Sequence, residues 1–347
     1  MRRARTLAAL PVLACAGAVA VSLFVPYQGF RGESFVDIPR GTGSRSVARL
    51  LSDAGVVRYR WQFLAVRALR PRARLHAGEY CFRAADSPWK VFDRLVRGDV
   101  FYRPLTVPEG QNMFDIAASL DQIGIIGSGP FLQAARDPSI IRDLAPEART
   151  LEGYLFPDTY RITRHTTAAQ LCAEMTARFR RAWAEAGGSG PVHPAVTLAS
   201  LVEKETARAE ERPLVASVFK NRLAIGVPLD CDPTAIYAAM LEGRYRGEIS
   251  RSDLESKSPY NTYQTAGLPP GPIANPGLEA LKAALHPAQT RYLYFVARPD
   301  GSGAHVFSEH LEEHQRAVSR YRRGNQKAIQ ARAAEPASRG KAGRSSH

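Results

Sequence analysis

The stretch "ASLVEKETARAEE", residues 199–211, sets four glutamates and a lysine directly after an apolar run. On a helix from about Pro194 to Ala209, turning about 100° per residue, Glu205 lies three residues after Val202 and four after Leu201, on the side of Leu198. Glu203 lies about 200° round, on the opposite side. A carboxylate on the apolar side of a helix loses hydration, which raises its proton affinity and lets it keep a proton near neutral pH. That is the state a general acid requires. The competing reading is a structural Glu205 paired with Arg212 or Arg222, and the helical pattern alone leaves both open. Glu203, Glu210 and Glu211 are expected on a solvated face or at the start of the next helix, near Pro213.

The elements that must position this acid follow it in the chain. "PLVASVFKNRLAIG" predicts a helix burying Leu214, Val215, Val218, Phe219 and Leu223 and ending at Gly226. "DCDPTAIYAAM" comes next, and its Asp232 is the local candidate for a second carboxylate. "SPYNTYQTAGLPPGPIANPG" then carries five prolines and three glycines, too many for a helix or a central strand. A stiff loop of this kind can line a groove, where Tyr260, Asn261, Tyr263 and Gln264 offer the stacking faces and hydrogen-bonding groups that sugars need. A plain structural connector is the alternative.

Ahead of the acid lies an internal repeat. Shifting "VDIPRGTGSRSVARLLSDAGVV" by 69 residues onto "LTVPEGQNMFDIAASLDQIGII" superposes Pro39 on Pro108, Gly41 on Gly110, Leu51 on Leu120 and Gly55 on Gly124. Each copy reads as a short strand, a turn and a helix, followed by a glycine-led strand candidate at 77–82 and at 152–160. Units of this size resemble the LysM-type modules that hold amino-sugar polymers, although any small α/β unit could read this way.

At the N-terminus three arginines precede nineteen uncharged, mostly apolar residues, Leu7 to Val25. At about 1.5 Å per residue this run spans a hydrocarbon core of roughly 30 Å, so a membrane anchor over 7–25 is expected, with residues 1–6 as a cytoplasmic tip. The rivals are a cleaved signal peptide and a lipoprotein signal ending at Cys15. The net charge of +14 suggests a nucleic-acid binder until it is located: eight Lys or Arg against one acid lie between Arg320 and His347. Export removes that target, so no nucleic-acid partner is expected. Cys15, Cys81, Cys172 and Cys231 form no CxxC and no metal-like spacing, so a zinc site has no support and no metal is expected.

Taken in order, "LEGYLFPDTY", "ASLVEKET", "VASVFKNRL", "DPTAIY", "SPYNTY", "GLPPGPIANPG", "ALHPA", "YLYFVA" and "HVFSEHLEEH" resemble the MltG (YceG-like) family of endolytic murein transglycosylases, over about Val36 to Tyr321. The resemblance implies an α+β chain with one N-terminal transmembrane helix, LysM-like small α/β modules and a mixed α/β catalytic domain. The expected organisation is an anchor over 7–25, modules over 33–103 and 104–164, a catalytic domain over 165–323 and a disordered basic tail over 324–347. It implies cleavage of nascent peptidoglycan between MurNAc and GlcNAc, with a 1,6-anhydro-MurNAc end and no cofactor. The catalytic glutamate is the second acid of the E-K-E triplet, which falls on Glu205. Asn261 and Tyr263, then Tyr260, Gln264 and Asp232, are the expected substrate contacts, and His286 and His305 also sit in family-like motifs. Expected partners are peptidoglycan strands, the synthases that make them (penicillin-binding proteins) and the inner membrane, with the catalytic part on the extracytoplasmic side. A scaffold that binds glycan without cutting it and a two-carboxylate hydrolase are the alternatives. The sequence departs from the family at "LDCDPT", where Asp230 and Cys231 replace a Gln-like residue followed by Thr or Ser.

Overall fold

The computed structural model describes residues 17–334. The chain divides into two compact units, Met1–Arg103 and Pro104–His347.

In the first unit, β1 (Ser34–Ile38) leads into α1 (Ser44–Asp53) and α2 (Arg60–Leu69), and β2 (Gly78–Phe82) returns antiparallel to β1 with Val36 opposite Tyr80. α3 (Pro88–Arg97) completes the unit. Its start is set by Ser87, whose hydroxyl accepts the Lys90 N–H at 3.3 Å, and by Pro88 in the first turn; Gly98 stops it in the left-handed conformation. Val47 and Leu51, one turn apart on α1, pack with Phe63, Tyr80, Phe82 and Phe92, all fully buried. Side chains of this size contribute about 1.5–3 kcal/mol each on burial, which lets so small a unit hold a core of its own.

The membrane anchor expected over 7–25 is corrected by the structure, and with it the single-pass inner-membrane placement and the membrane partner. Among the described residues no helix is long and apolar enough to cross a membrane. Residues 1–16 lie outside the described residues. What is described of the apolar run is helical over 17–22 and then turns. Leu23 is buried in the core of the first unit. Its carbonyl accepts the Trp89 N–H at 3.1 Å, and the Ser22 carbonyl accepts Gln62 Nε2 at 3.2 Å. The end of the run is thus part of a globular fold and not the last turn of a spanning helix.

The second unit opens with β3 (Arg103–Thr106), α4 (Met113–Ile123) and α5 (Ser128–Ala135), and β3 pairs with β4 (Thr159–Ile162). Both copies of the repeat therefore run strand, helix, helix, strand. Asn112 caps α4 through the N–H groups of Phe114 and Asp115, while the Asp115 carboxylate accepts the Asn112 N–H. There follow α6 (Ala168–Glu185), α7 (Val192–Glu205), α8 (Arg212–Ala224), α9 (Asp232–Leu241), the short α10 (Arg251–Leu254) and α11 (Leu278–Leu285). The antiparallel pair β5 (Tyr294–Ala297) and β6 (His305–Ser308) comes last, covered by α12 (Leu311–Ala334). α12 runs into the segment expected as a disordered tail, and 335–347 lie outside the described residues.

The strand expected over 152–160 begins only at Thr159. Before it the chain turns, because the N–H groups of Gly153 and Leu155 donate to the Asn275 side-chain oxygen, at 2.9 and 3.0 Å, instead of to a neighbouring strand. Gly153 has φ of 86°, and a Cβ there would stand 2.4 Å from Pro272 Cγ and 2.9 Å from Val196 Cγ1. Gly153→Ala combines left-handed strain with overpacking and is expected to cost about 2–4 kcal/mol, read as a lower urea midpoint with unchanged slope.

Candidate active site

α7 is apolar almost all round, with Val196, Ala199, Leu201 and Val202 fully buried, and so sits inside the second unit between α8, α9 and α11. Its buried hydroxyls bond within the helix, Thr197 to the His193 carbonyl at 2.8 Å and Ser200 to the Thr197 carbonyl at 2.7 Å. The helix ends at Glu205, earlier than the expected Ala209, because Thr206 turns to an extended backbone with φ of −143°. Glu205 is therefore the last helical residue.

The two acids of the triplet point into different surroundings. Glu203, expected on a solvated face, has a side chain only 6% exposed: Oε1 accepts Arg212 Nη2 at 3.1 Å and Oε2 accepts the Gly277 N–H at 2.9 Å. Lys204 between them donates to the Gly110 carbonyl at 3.2 Å. Glu211 is likewise buried, bonded to the N–H and to Nδ1 of His305 at 2.9 and 2.7 Å. Arg222 donates to the Asp230 carboxylate and to the carbonyls of Pro228, Leu229 and Leu293. Neither arginine that could have neutralised Glu205 reaches it. The one side-chain hydrogen bond to Glu205 among the described residues comes from the Cys231 thiol, 3.0 Å from Oε1.

Glu205 lines a cavity of about 310 Å³ together with Asp232 and Tyr263. Arg222, Asp230, Tyr294, Phe295 and His314 complete its polar and aromatic wall. Burial raises the proton affinity of Glu205; the thiol opposes this, the nearby Asp232 charge adds to it, and His305 opposes it more weakly. Asp232 accepts the Tyr263 hydroxyl at 2.6 Å, and burial together with this contact pushes the phenol's pKa up. Burial and the Arg222 charge lower the proton affinity of His314.

Of the residues read from sequence, Glu205, Asp232 and Tyr263 are brought together at the cavity. Asn261 is not: it is fully buried, and its amide donates to the carbonyls of Asp253, Leu254 and Ser256, tying its loop to the end of α10. Tyr260 packs on Tyr237 with ring centroids 5.3 Å apart, and the exposed Gln264 donates to the Leu254 carbonyl. Tyr294 and Phe295 are not among the residues expected from sequence, although the unbroken apolar and aromatic run "YLYFVA" suits a strand, whose pleat places these two side chains on opposite faces. His314 lies one helical turn into α12, and no spacing in the sequence ties it to Glu205. Among the described residues no cluster of His, Cys, Asp or Glu could hold a metal ion, and Cys81, Cys172 and Cys231 are free and buried.

Two measurements check this arrangement. Arg212→Ala leaves Glu203 buried and unpaired, and is expected to cost about 3–5 kcal/mol in denaturant unfolding. For Glu205 the ordinary carboxyl value is 4.5 and the folded value is higher, so the folded chain holds a proton that the unfolded chain has released. Its contribution to stability is complete below pH 4.5 and is lost as pH rises through the folded value. Glu205→Gln is therefore expected to be more stable than the unsubstituted chain at pH 8, with the gain vanishing on acidification.

The profile of the YceG-like family matches residues 36–320. An endolytic murein transglycosylase of Bacillus subtilis (strain 168) is 32% identical over 307 residues, covering 82% of this chain and 84% of that protein. One of Streptococcus pneumoniae serotype 2 is 30% identical over 322 residues, covering 82% of this chain and 58% of its own, longer length. The crystal structure of a YceG-like protein from Listeria monocytogenes, 32% identical, superposes with a TM-score of 0.52 over 83% of this chain and 99% of that one. With the ordered motifs and the site they converge on, these matches establish that the chain belongs to the YceG-like family.

Proposed function

We propose that this chain is an endolytic murein transglycosylase that cuts the MurNAc–GlcNAc bond of nascent glycan strands and leaves a 1,6-anhydro-MurNAc end, with Glu205 as its acid and base. One observation carries this reading: a carboxyl group at the end of a buried helix opens onto a cavity, with no cationic side chain bonded to it among the described residues and with a raised proton affinity. Protonated Glu205 donates to the glycosidic oxygen as the GlcNAc leaving group departs, through an oxocarbenium-like transition state. The resulting carboxylate then removes the proton of the MurNAc 6-hydroxyl, whose oxygen bonds to C1 and closes the anhydro ring. Glu205 ends protonated, ready for the next cut, and no water enters.

Around the acid, the fixed Asp232 carboxylate supports this cycle by opposing ionisation of Glu205 before bond cleavage. Tyr263, Tyr294 and Phe295 supply faces on which sugar rings stack. The first unit is read as the LysM-like part that holds the strand, and the synthases that extrude the strand are the expected protein partners.

The test is mass spectrometry of purified glycan strands digested with the chain and with Glu205→Gln. The unsubstituted chain is expected to yield 1,6-anhydro-MurNAc ends, and the variant to lose at least about 100-fold in rate. Reducing ends point instead to a hydrolase using Asp232, and strand binding without cleavage to a scaffold; either result overturns the reading.

A further inference from the structure

Cys231 is held more tightly than its place at a helix start requires. Asp230, just before it, has φ of 52°, the one non-glycine residue in the left-handed region among the described residues. Arg222 Nη1 holds that residue through its carboxylate at 2.9 Å. The Cys231 N–H donates to Thr262 Oγ1 at 3.1 Å, and its carbonyl accepts the Thr234 hydroxyl at 2.6 Å. Thr234 and Thr262 are themselves 2.9 Å apart, Oγ1 to Oγ1. With backbone polar groups on both sides fixed and the residue 1% exposed, the thiol faces Glu205 Oε1 at 3.0 Å.

We propose that Cys231 is a positioning residue for the acid: its thiol donates to Glu205 Oε1 and holds the carboxyl group in the orientation that faces the cavity. This rests on the reading of Glu205 given above. A carboxyl group with no other side-chain partner turns freely about its last bonds, and proton transfer needs it fixed relative to the scissile oxygen. The choice of donor matters as much as its place. A hydroxyl or a guanidinium would stabilise the carboxylate more strongly and so narrow the pH range in which Glu205 keeps its proton, whereas a thiol is a weak donor that orients with a smaller effect of this kind. Burial and the Glu205 charge both raise the thiol's own pKa, so it remains an S–H donor through the cycle.

The other titratable or charged groups facing Glu205 are Asp232 in α9, Asp230 before it, Tyr263 in the loop, Arg222 in α8, Tyr294 in β5, His305 in β6 and His314 in α12. Because histidines are among them, the test must read the Glu205 carboxyl itself and not a pH–rate limb alone.

Infrared difference spectra of the full chain do so. The C=O band of the protonated carboxyl is assigned by its loss in Glu205→Gln and titrated in the unsubstituted chain, in Cys231→Ser and in Cys231→Ala. The Cys231 S–H band is isolated by subtracting the Cys231→Ala spectrum. The midpoint of the carboxyl titration is expected to move to lower pH in Cys231→Ser, where the donor is stronger, and to higher pH in Cys231→Ala, where it is gone. The S–H band is expected to shift when Glu205 becomes Gln. On glycan strands Cys231→Ala is expected to lose about tenfold or more in kcat with KM nearly unchanged, and Cys231→Ser to recover most of it below its own midpoint.

A carboxyl midpoint that stays put in both variants, or an S–H band blind to Glu205→Gln, overturns the proposal. Should Cys231→Ala not fold, the near-isosteric Cys231→Ser decides: its spectrum takes over the subtraction, and its midpoint must still move. The infrared readings need no turnover. If Glu205→Gln still cuts glycan, the functional reading fails while the thiol contact is judged on its own band.

Discussion

Everything around the site depends on one buried amide. Asn275 is fully buried in the proline-rich loop and uses every polar group it has. Its side-chain oxygen accepts the N–H groups of Gly153 and Leu155, its Nδ2 donates to Glu152 Oε1 and the Gln111 carbonyl, its N–H donates to that same carbonyl, and its own carbonyl accepts the Gly110 N–H. An unmade bond at any of these buried groups costs about 1–3 kcal/mol, so the three segments hold one relative placement. Two residues on, the Gly277 N–H reaches Glu203, and Lys204 reaches the Gly110 carbonyl from the same helix turn. The last turn of α7 is thus clamped by the turns that Asn275 joins, and Glu205 follows it into the cavity.

Glu152 shows what that environment does to a carboxyl group. It accepts the Met113 N–H, the Tyr237 hydroxyl and Asn275 Nδ2, all at 2.9–3.0 Å, and yet burial pushes its pKa up to about 7. Desolvation outweighs three hydrogen bonds there. At Glu205 the opposing hydrogen bond is a single weak one from a thiol, and the Asp232 charge adds to burial. Burial acts on Glu152 and Glu205 in the same sense; the difference lies in the donors around each, and Glu205 also lines a cavity.

How much of this was legible in the sequence depends on how local each contact is. The separation of Glu205 from Glu203 followed from helical arithmetic over four residues, and the structure keeps the two acids apart. The burial of Glu203 did not, because its partners, Arg212 and the Gly277 N–H, lie 9 and 74 residues away. The residue type of Asn261 suits a groove, but its amide is spent on carbonyls at the end of α10 and on that of Ser256, which composition does not reveal. The apolar run at the N-terminus has the length of a membrane span, yet Leu23 finds a core to enter. The strand expected at Gly153 fails for the same reason: its N–H groups are claimed by Asn275, more than a hundred residues later.

The central claim is that one carboxyl group acts twice and that the sugar's own 6-hydroxyl, not water, closes onto C1. Digestion of glycan strands in water enriched in oxygen-18, followed by mass spectrometry of the new ends, tests it most directly. The account predicts ends of anhydro mass carrying no heavy oxygen. Incorporation of one oxygen-18 at each new MurNAc reducing end would contradict it, since water would then have attacked C1.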